Sequence, residues 1–364
     1  MAEVTRLAAE LIRLRTDGRD ESAAVDLLAP RLESAGFSLR RSTLTSGRDT
    51  LDATLSGDGP PLVLTGHLDT VPVPGEVWDH EPFGGEVADG MLHGRGSVDM
   101  KAGVAAMVIA AERVAATRRG GRAIRLLFTA GEETGCLGAR AHLEAVGRRQ
   151  ASALLVGEPT NGRVFVGHKG VLWLRILAHG RAAHASTPHL GDNAIGKLVT
   201  ALDRLRRLDL GVTDPLLGPA TASLGTVVGG VQTNVVPSEA EATLDLRLVP
   251  GLSPEQAEEA VRQLLGDEVE VQPELALDAV STPLDDPFVV LVREVVEQNA
   301  GGTETGSAGY FTDASVLAPA FGWPATVICG PGDPALAHGR DECCDVADIE
   351  RAVEIYTEVM SRWP

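Results

Sequence analysis

Positive charge is scarce in this chain. Lysine and arginine number 32 against 51 aspartates and glutamates, a net charge of −19, which argues against a nucleic-acid surface or an anionic membrane as partner. Cysteine is scarcer still. Cys136, Cys329, Cys343 and Cys344 form neither a secreted disulfide framework nor the paired spacing of a zinc finger, so a reducing, cytoplasmic location is expected. Long apolar runs are missing too, and no stretch approaches the length that crosses a bilayer. The opening MAEVTRLAAELIRLRT places Val4, Leu7, Ala8, Leu11 and Ile12 on one helical face and lacks the unbroken apolar centre of a signal peptide. What remains is an acidic chain of 364 residues, long enough for two domains.

The chemically loaded stretch is 61–107. Val63 and Leu64 read as a buried strand ended by Gly66, which delivers His67 and Asp69 at the C-terminal mouth where open α/β sheets place their sites. A second turn, Gly94-Arg95-Gly96-Ser97-Val98-Asp99, runs into an apolar helix pattern over 100–116. Asp99 is therefore expected at or near a helix N-cap, its carboxylate fixed by backbone donors.

Along the rest of the chain, a helix is predicted over 21–35 and strands over 50–55 and 61–66. After the 100–116 helix comes a basic turn at 117–121, then a buried strand over 123–129 that ends in Gly131-Glu132-Glu133-Thr134-Gly135. A helix to about residue 146 and a strand over 153–156 follow, ending in Gly157-Glu158-Pro159-Thr160. The rhythm then changes. Strand 170–178, helix 193–208, strands 222–228 and 240–248, a helix opened by the capping box Ser253-Pro254-Glu255-Gln256 and strand 269–273 make a split βαβ, ferredoxin-like unit. A helix to about 299, a strand over 325–329 and a closing helix over 347–360 resume the first pattern. The expected division is a discontinuous α/β domain of 1–168 and 277–364 with an α+β domain inserted at 169–276.

Groups placed at strand ends by this reading are His67, Asp69, Asp99, Glu132, Glu133, Glu158 and His338. Alone, each is an ordinary surface or structural residue. Together they are a mixed nitrogen and oxygen set suited to zinc, and so many carboxylates crowded at one edge would repel without cations to neutralise them.

The segments Gly66-His67-Leu68-Asp69-Thr70-Val71-Pro72, Gly94-Arg95-Gly96-Ser97-Val98-Asp99-Met100-Lys101, Gly131-Glu132-Glu133-Thr134-Gly135, Gly157-Glu158-Pro159-Thr160 and Ala337-His338 resemble five metal-site motifs of one family. It is the acetylornithine deacetylase, succinyl-diaminopimelate desuccinylase and carboxypeptidase family of co-catalytic zinc hydrolases. The resemblance spans nearly the whole chain, in order. It implies a zinc-exopeptidase-like three-layer α/β catalytic domain with an inserted ferredoxin-like lid and dimerisation domain. It also implies two divalent ions, zinc with cobalt or manganese as alternatives. Asp99 would bridge them, His67 and Glu158 would complete one site, and Glu133 and His338 the other. Asp69 would orient His67 from behind. Glu132 is left for general acid/base work: one carboxylate beside a metal-bridging water can activate it and then protonate the leaving nitrogen.

The inserted domain adds Gly180-Arg181-Ala182-Ala183-His184-Ala185-Ser186-Thr187-Pro188, similar to the family's lid motif, in which the histidine reaches the partner subunit's site and stabilises the oxyanion. Without that resemblance His184 is a loop histidine. Gln232-Thr233-Asn234-Val235-Val236-Pro237 and Asp245-Leu246-Arg247 resemble lid segments whose Asn234 and Arg247 contact substrate; alone, Arg247 is a strand-surface charge. Gly309-Tyr310-Phe311-Thr312-Asp313-Ala314 and Gly330-Pro331-Gly332 correspond to loops lining the amino-acid pocket, and the Thr-Asp-Ala form is closer to the acetylornithine deacetylase-like members. Asp313 either meets a cationic ω-amino group or caps the following helix. His80, His93, His142, His168, His179 and His189 are read as structural or solvent-facing.

The expected activity is removal of an N-acyl group, acetyl in the first instance, from an amino acid with a free α-carboxylate, by a homodimer that is needed for turnover if the lid works in trans. A carboxypeptidase, dipeptidase or desuccinylase would use the same site. A non-catalytic metal-binding protein on this scaffold would be expected to lack Glu132 or a ligand, and all are present.

Overall fold

The computed structural model describes every residue except Pro74, Glu76, Arg119 and residues 301–303. Pro74 and Glu76, inside the 61–107 stretch, and Arg119, in the basic turn, thus lie outside the described residues. The chain divides into two compact units, one of Met1–Gly167, Ser281–Ser307 and Thr312–Pro364, the other of His168–Val280 and Ala308–Phe311.

The first unit is α/β, built on a mixed nine-stranded sheet. Its centre runs Arg122–Thr129, Asp58–His67, Ala153–Pro159, Thr326–Gly330, all parallel. The run Ala153–Pro159 is buried at every position and Arg122–Thr129 at all but the first. That unbroken burial is what a parallel strand covered on both faces requires, and it explains why apolar runs rather than alternation mark these strands. On the outer side Arg48–Leu55 and Ser38–Thr45 extend the sheet antiparallel. Ser38–Thr45, mostly exposed, was not anticipated. Helices Glu3–Arg13, Lys101–Thr117, Pro287–Ala300 and Val346–Arg362 pack together, and Leu137–Val146 packs on the two outer strands.

Register sets the site. His67 stands opposite Thr129, and Pro159 opposite Gly330, so the strands end level at one sheet edge. A Cβ on Gly330 would collide with the carbonyls of Gly157 and Glu158. Glycine there lets the Thr326–Gly330 strand approach the strand that carries Glu158. Asp99 stands near the helix N-cap as expected, one residue before Met100 in the cap position of a helix that begins at Lys101, but no side-chain cap bond forms.

The second unit is a four-stranded antiparallel sheet ordered Thr221–Gly229, Glu239–Leu248, Gly170–His179, Glu270–Leu277. That is the ferredoxin-like strand order. Leu172, Leu174, Ile176 and Ala178 alternate inward against Leu198 and Ala201 of helix Ala194–Arg204 and Val261 and Leu265 of helix Pro254–Leu265. The capping box is formed: Ser253 Oγ accepts from Gln256 N and Gln256 Oε1 from Ser253 N.

Candidate metal centre

At the sheet edge the strand ending in His67 places its imidazole Nε2 2.9 Å from Asp99 Oδ1 and 3.4 Å from Glu158 Oε1. On the other side His338 Nε2 lies 3.1 Å from Asp99 Oδ2 and 3.0 Å from Glu133 Oε1. Asp99 therefore offers one oxygen to each imidazole. Ligand atoms of His67, Asp99 and Glu133 lie within 4.8 Å of one another, the spacing of donors around a common cation. His67, Glu132 and Glu158 are buried, while the His338 side chain is half exposed.

Asp69 works differently from the expectation. His67 Nδ1 donates to the Asp69 backbone carbonyl at 2.9 Å, whereas the Asp69 carboxylate is 3.6 Å away. In the neutral ring that bond puts the proton on Nδ1 and leaves Nε2 the atom able to ligate; against its burial, Glu158 and Asp99 raise His67, so a cation there would compete with a proton. The Asp69 carboxylate instead accepts the backbone N–H groups of Glu132 at 3.1 Å and Glu133 at 3.2 Å. Asp69 thus holds the turn that carries both glutamates.

Asp313 grips the end of the strand that leads into this turn. It is 2 % exposed, accepts a hydrogen bond from Thr129 Oγ1 and makes no helix cap; the Thr312 hydroxyl accepts from Ala314 N instead. Asp313 stands at the N-cap position of helix Ala314–Ala320, as one of the two readings has it, but its carboxylate makes no capping bond. Burial raises its carboxyl to about 6, against the opposing bond from Thr129.

Two residues that the sequence reading passed over tie the centre together. The Glu342 carboxylate accepts from Val98 N at 2.8 Å and Asp99 N at 3.1 Å, and pairs with Arg95 Nη1 at 2.6 Å. Arg95 also donates to the His338 carbonyl at 3.2 Å. This fully buried pair fastens the Asp99 turn to the His338 loop across about 240 residues of chain. Lys101, also fully buried, donates to Leu14 O at 2.8 Å, and burial lowers it to about 7.

Charge accounting tests the fit to cations. Burial, reinforced by neighbouring carboxylates, raises Glu132 and Glu133 and pushes Glu158 up to about 8. Asp99 alone is lowered, against its burial, by His338 and His67; Asp99 and Glu133 in return raise His338 to about 10. Two imidazoles do not neutralise this many carboxylates. A divalent cation pair would, and nitrogen and carboxylate oxygen are donors that zinc, cobalt and manganese accept.

In the second unit, His184 is exposed and its loop pairs with the Asn234 loop, Ala185 N donating to Asn234 O at 3.0 Å. Ser186 N donates to His184 Nδ1 at 3.1 Å. The ring proton of neutral His184 therefore sits on Nε2, which can act as a donor. Asn234 is exposed. The Arg247 fork is engaged by Asp245, at 2.9 and 3.0 Å. Among the remaining histidines, His142 and His168 are buried, His179 and His189 are exposed, and His80 stacks on His93 with centroids 3.8 Å apart.

Fold and site together define a metal-dependent amidohydrolase. The sequence profile of Peptidase family M20/M25/M40 matches residues 63–362, and the chain belongs to that family. It is 34% identical to a succinyl-diaminopimelate desuccinylase of Methylobacterium radiotolerans, the match covering 98% of this chain and 96% of that one. It is 31% identical to a probable carboxypeptidase of Aspergillus fumigatus over 96% of this chain and 84% of the relative. Among solved structures, an M20 family metallo-carboxypeptidase from Sulfolobus solfataricus superposes with a TM-score of 0.83 at 18% identity, covering 99% of both chains. No helix among the described residues is long and apolar enough to cross a membrane.

Proposed function

We propose that the protein hydrolyses the amide bond of an N-acyl amino acid with a free α-carboxylate, at two divalent ions, zinc first. The observation that carries this reading is Asp99 turning one oxygen to each of two imidazoles, with Glu133 and Glu158 beside them. Asp99, with His67 and Glu158 on one side and Glu133 and His338 on the other, would hold the ions. When bound, the ions polarise the acyl carbonyl and lower the pKa of a water. Glu132 takes the proton of the attacking water on a carboxylate oxygen and returns it to the leaving nitrogen. Asp69 fixes the backbone from which Glu132 projects. Asp313 and Gly330 act through packing, one on the strand that leads to Glu132 and the other on the Glu158 strand.

The lid completes the chemistry as part of a homodimer. His184 Nε2–H stabilises the oxyanion from the partner's lid, and Asn234 and Arg247 meet the α-carboxylate, Arg247 exchanging Asp245 for substrate. Strand Thr221–Gly229 supports association of two copies: it is an exposed sheet edge bearing Leu224, Val227 and Val228. A monomeric variant with full turnover refutes the requirement for a second copy.

The test of substrate is a panel of N-acetyl, N-succinyl and dipeptide substrates with zinc, cobalt and manganese. N-acetyl amino acids are the first expectation. N-succinyl amino acids are the second reading, favoured by the name of the 34% identical relative. A preference for dipeptides over every N-acyl amino acid overturns the deacylase reading.

A further inference from the structure

One polar cavity belongs to none of this chemistry. On the outer strands, Arg40 pairs opposite Asp52 and Thr54 opposite Arg125, so four polar side chains share a face. Asp52 and Arg125 are buried there. With Arg149, from the loop after helix Leu137–Val146, they line a cavity of about 400 Å³, and Pro61 and Val146 supply an apolar flank.

The arginines differ in how they are used. Arg125, 7 % exposed, presents one edge to both oxygens of Asp52, Nε at 2.8 Å and Nη2 at 2.6 Å, and Nη2 also donates to His142 Nε2 at 3.1 Å. Asp52 is spent on that fork. Among the described residues Arg125 Nη1 has no hydrogen-bond partner and is not one of the sealed polar atoms, so a guanidinium held by Asp52 and stacked over Phe321 at 5.5 Å keeps two donors unused beside the cavity it lines. Arg40 and Arg149 are exposed on the rim, and neither has an acidic partner among the described residues, whereas Arg31, Arg41, Arg48, Arg95 and Arg175 all do. In a chain of net charge −19, the cavity carries a local excess of two positive charges that nothing in the fold consumes.

We propose that this cavity binds the phosphoryl group of a small molecule. The dianion accepts from the free edge of Arg125 and from the Arg40 and Arg149 forks, a donor geometry that suits three equivalent oxygens better than one carboxylate. Pro61 and Val146 pack against the organic remainder, and the volume suits a ligand of metabolite size. Free phosphate and a phosphomonoester share this chemistry, the monoester gaining the apolar contact.

The test uses the full-length, metal-loaded protein and its R40A/R149A variant, whose changed side chains are exposed and leave the buried Arg125 network intact. Inorganic phosphate, glycerol phosphate and acetate are titrated calorimetrically at constant ionic strength. The expected result is one saturable phosphate site per chain weakened at least tenfold in R40A/R149A, with glycerol phosphate bound more tightly, acetate not bound, and turnover without phosphate unchanged. Binding that is absent, or that survives undiminished in the double variant because it resides at the metal centre, overturns the proposal. Equal binding of acetate overturns the assignment to a phosphoryl group.

Discussion

Two buried polar clusters stand on the same sheet, and they are balanced differently. In the Asp52–Arg125–His142–Ser42 cluster every buried charge has a protein partner: Arg125 forks onto Asp52 and donates to His142 Nε2, and His142 Nδ1–H donates a hydrogen bond to Ser42 Oγ at 2.9 Å. At the sheet edge, His67 and His338 face Asp99, Glu133 and Glu158 with Glu132 and Asp313 behind, and burial raises most of these carboxyls together. The first cluster pairs each of its buried charges within the fold and leaves over only Arg125 Nη1 and the exposed rim arginines. The second is complete only with cations, which is the difference between a polar core and a catalytic centre.

The sharpest way to break this contrast is Glu132→Gln. It should lower turnover by about a thousandfold, within the range for loss of a general acid/base, while metal content, measured by elemental analysis, stays at the wild-type level. Near-normal turnover would remove Glu132 from the mechanism. Next comes Asp52→Asn in the balanced cluster. Leaving Arg125 buried without its carboxylate should cost about 3–5 kcal/mol in urea unfolding, with kcat per folded molecule unchanged; a cost near zero would show that the cluster is not compensated as described.

Glu342→Gln sits between the two cases, since it removes a charge from a structural pair that braces the unbalanced centre. Its expected effect is a weakening of metal binding by about 10–100-fold in calorimetric titration, and unaltered affinity would separate the brace from the centre. The smallest effect is a pH slope. Burial, aided by Arg125, Arg40 and Arg149, holds His142 down at about 4. Between the ordinary histidine value and about 4 the unfolded chain binds more protons than the folded one, so stability falls as pH drops through that window. His142→Gln should flatten the slope of unfolding free energy there by at most about 1.4 kcal/mol per pH unit; parallel curves for the two proteins would refute it.

Legibility followed the range over which each feature is encoded. Central strands such as Ala153–Pro159 are contiguous apolar runs, and Pro254–Leu265 carries its own capping box, so both can be read locally. Strand Ser38–Thr45 has a largely exposed, polar pattern without strict alternation, and nothing in it distinguishes a sheet edge from a loop. Strands Met91–His93 and Cys343–Asp345 are three residues each and exist through pairing across 250 positions. The clustered histidine and carboxylates were legible because glycine-flanked turns place them after apolar runs. Arg95 and Glu342 were not, because an arginine between glycines and a glutamate after aspartate look like solvent charges until tertiary contact buries them. Asp313 was visible as a residue of interest, but only the fold shows that it faces Thr129.

The brace formed by Arg95 and Glu342 also bears on the order of synthesis. A chain emerging from the ribosome presents His67, Asp99, Glu133 and Glu158 and then the whole insert His168–Val280 before residues 338 and 342 exist. Until then the Asp99 turn lacks the carboxylate that grips its backbone, and the crowded acids have only one of their two imidazoles. The last parts of the centre to be synthesised are therefore the ones that brace it, and they follow the whole insert.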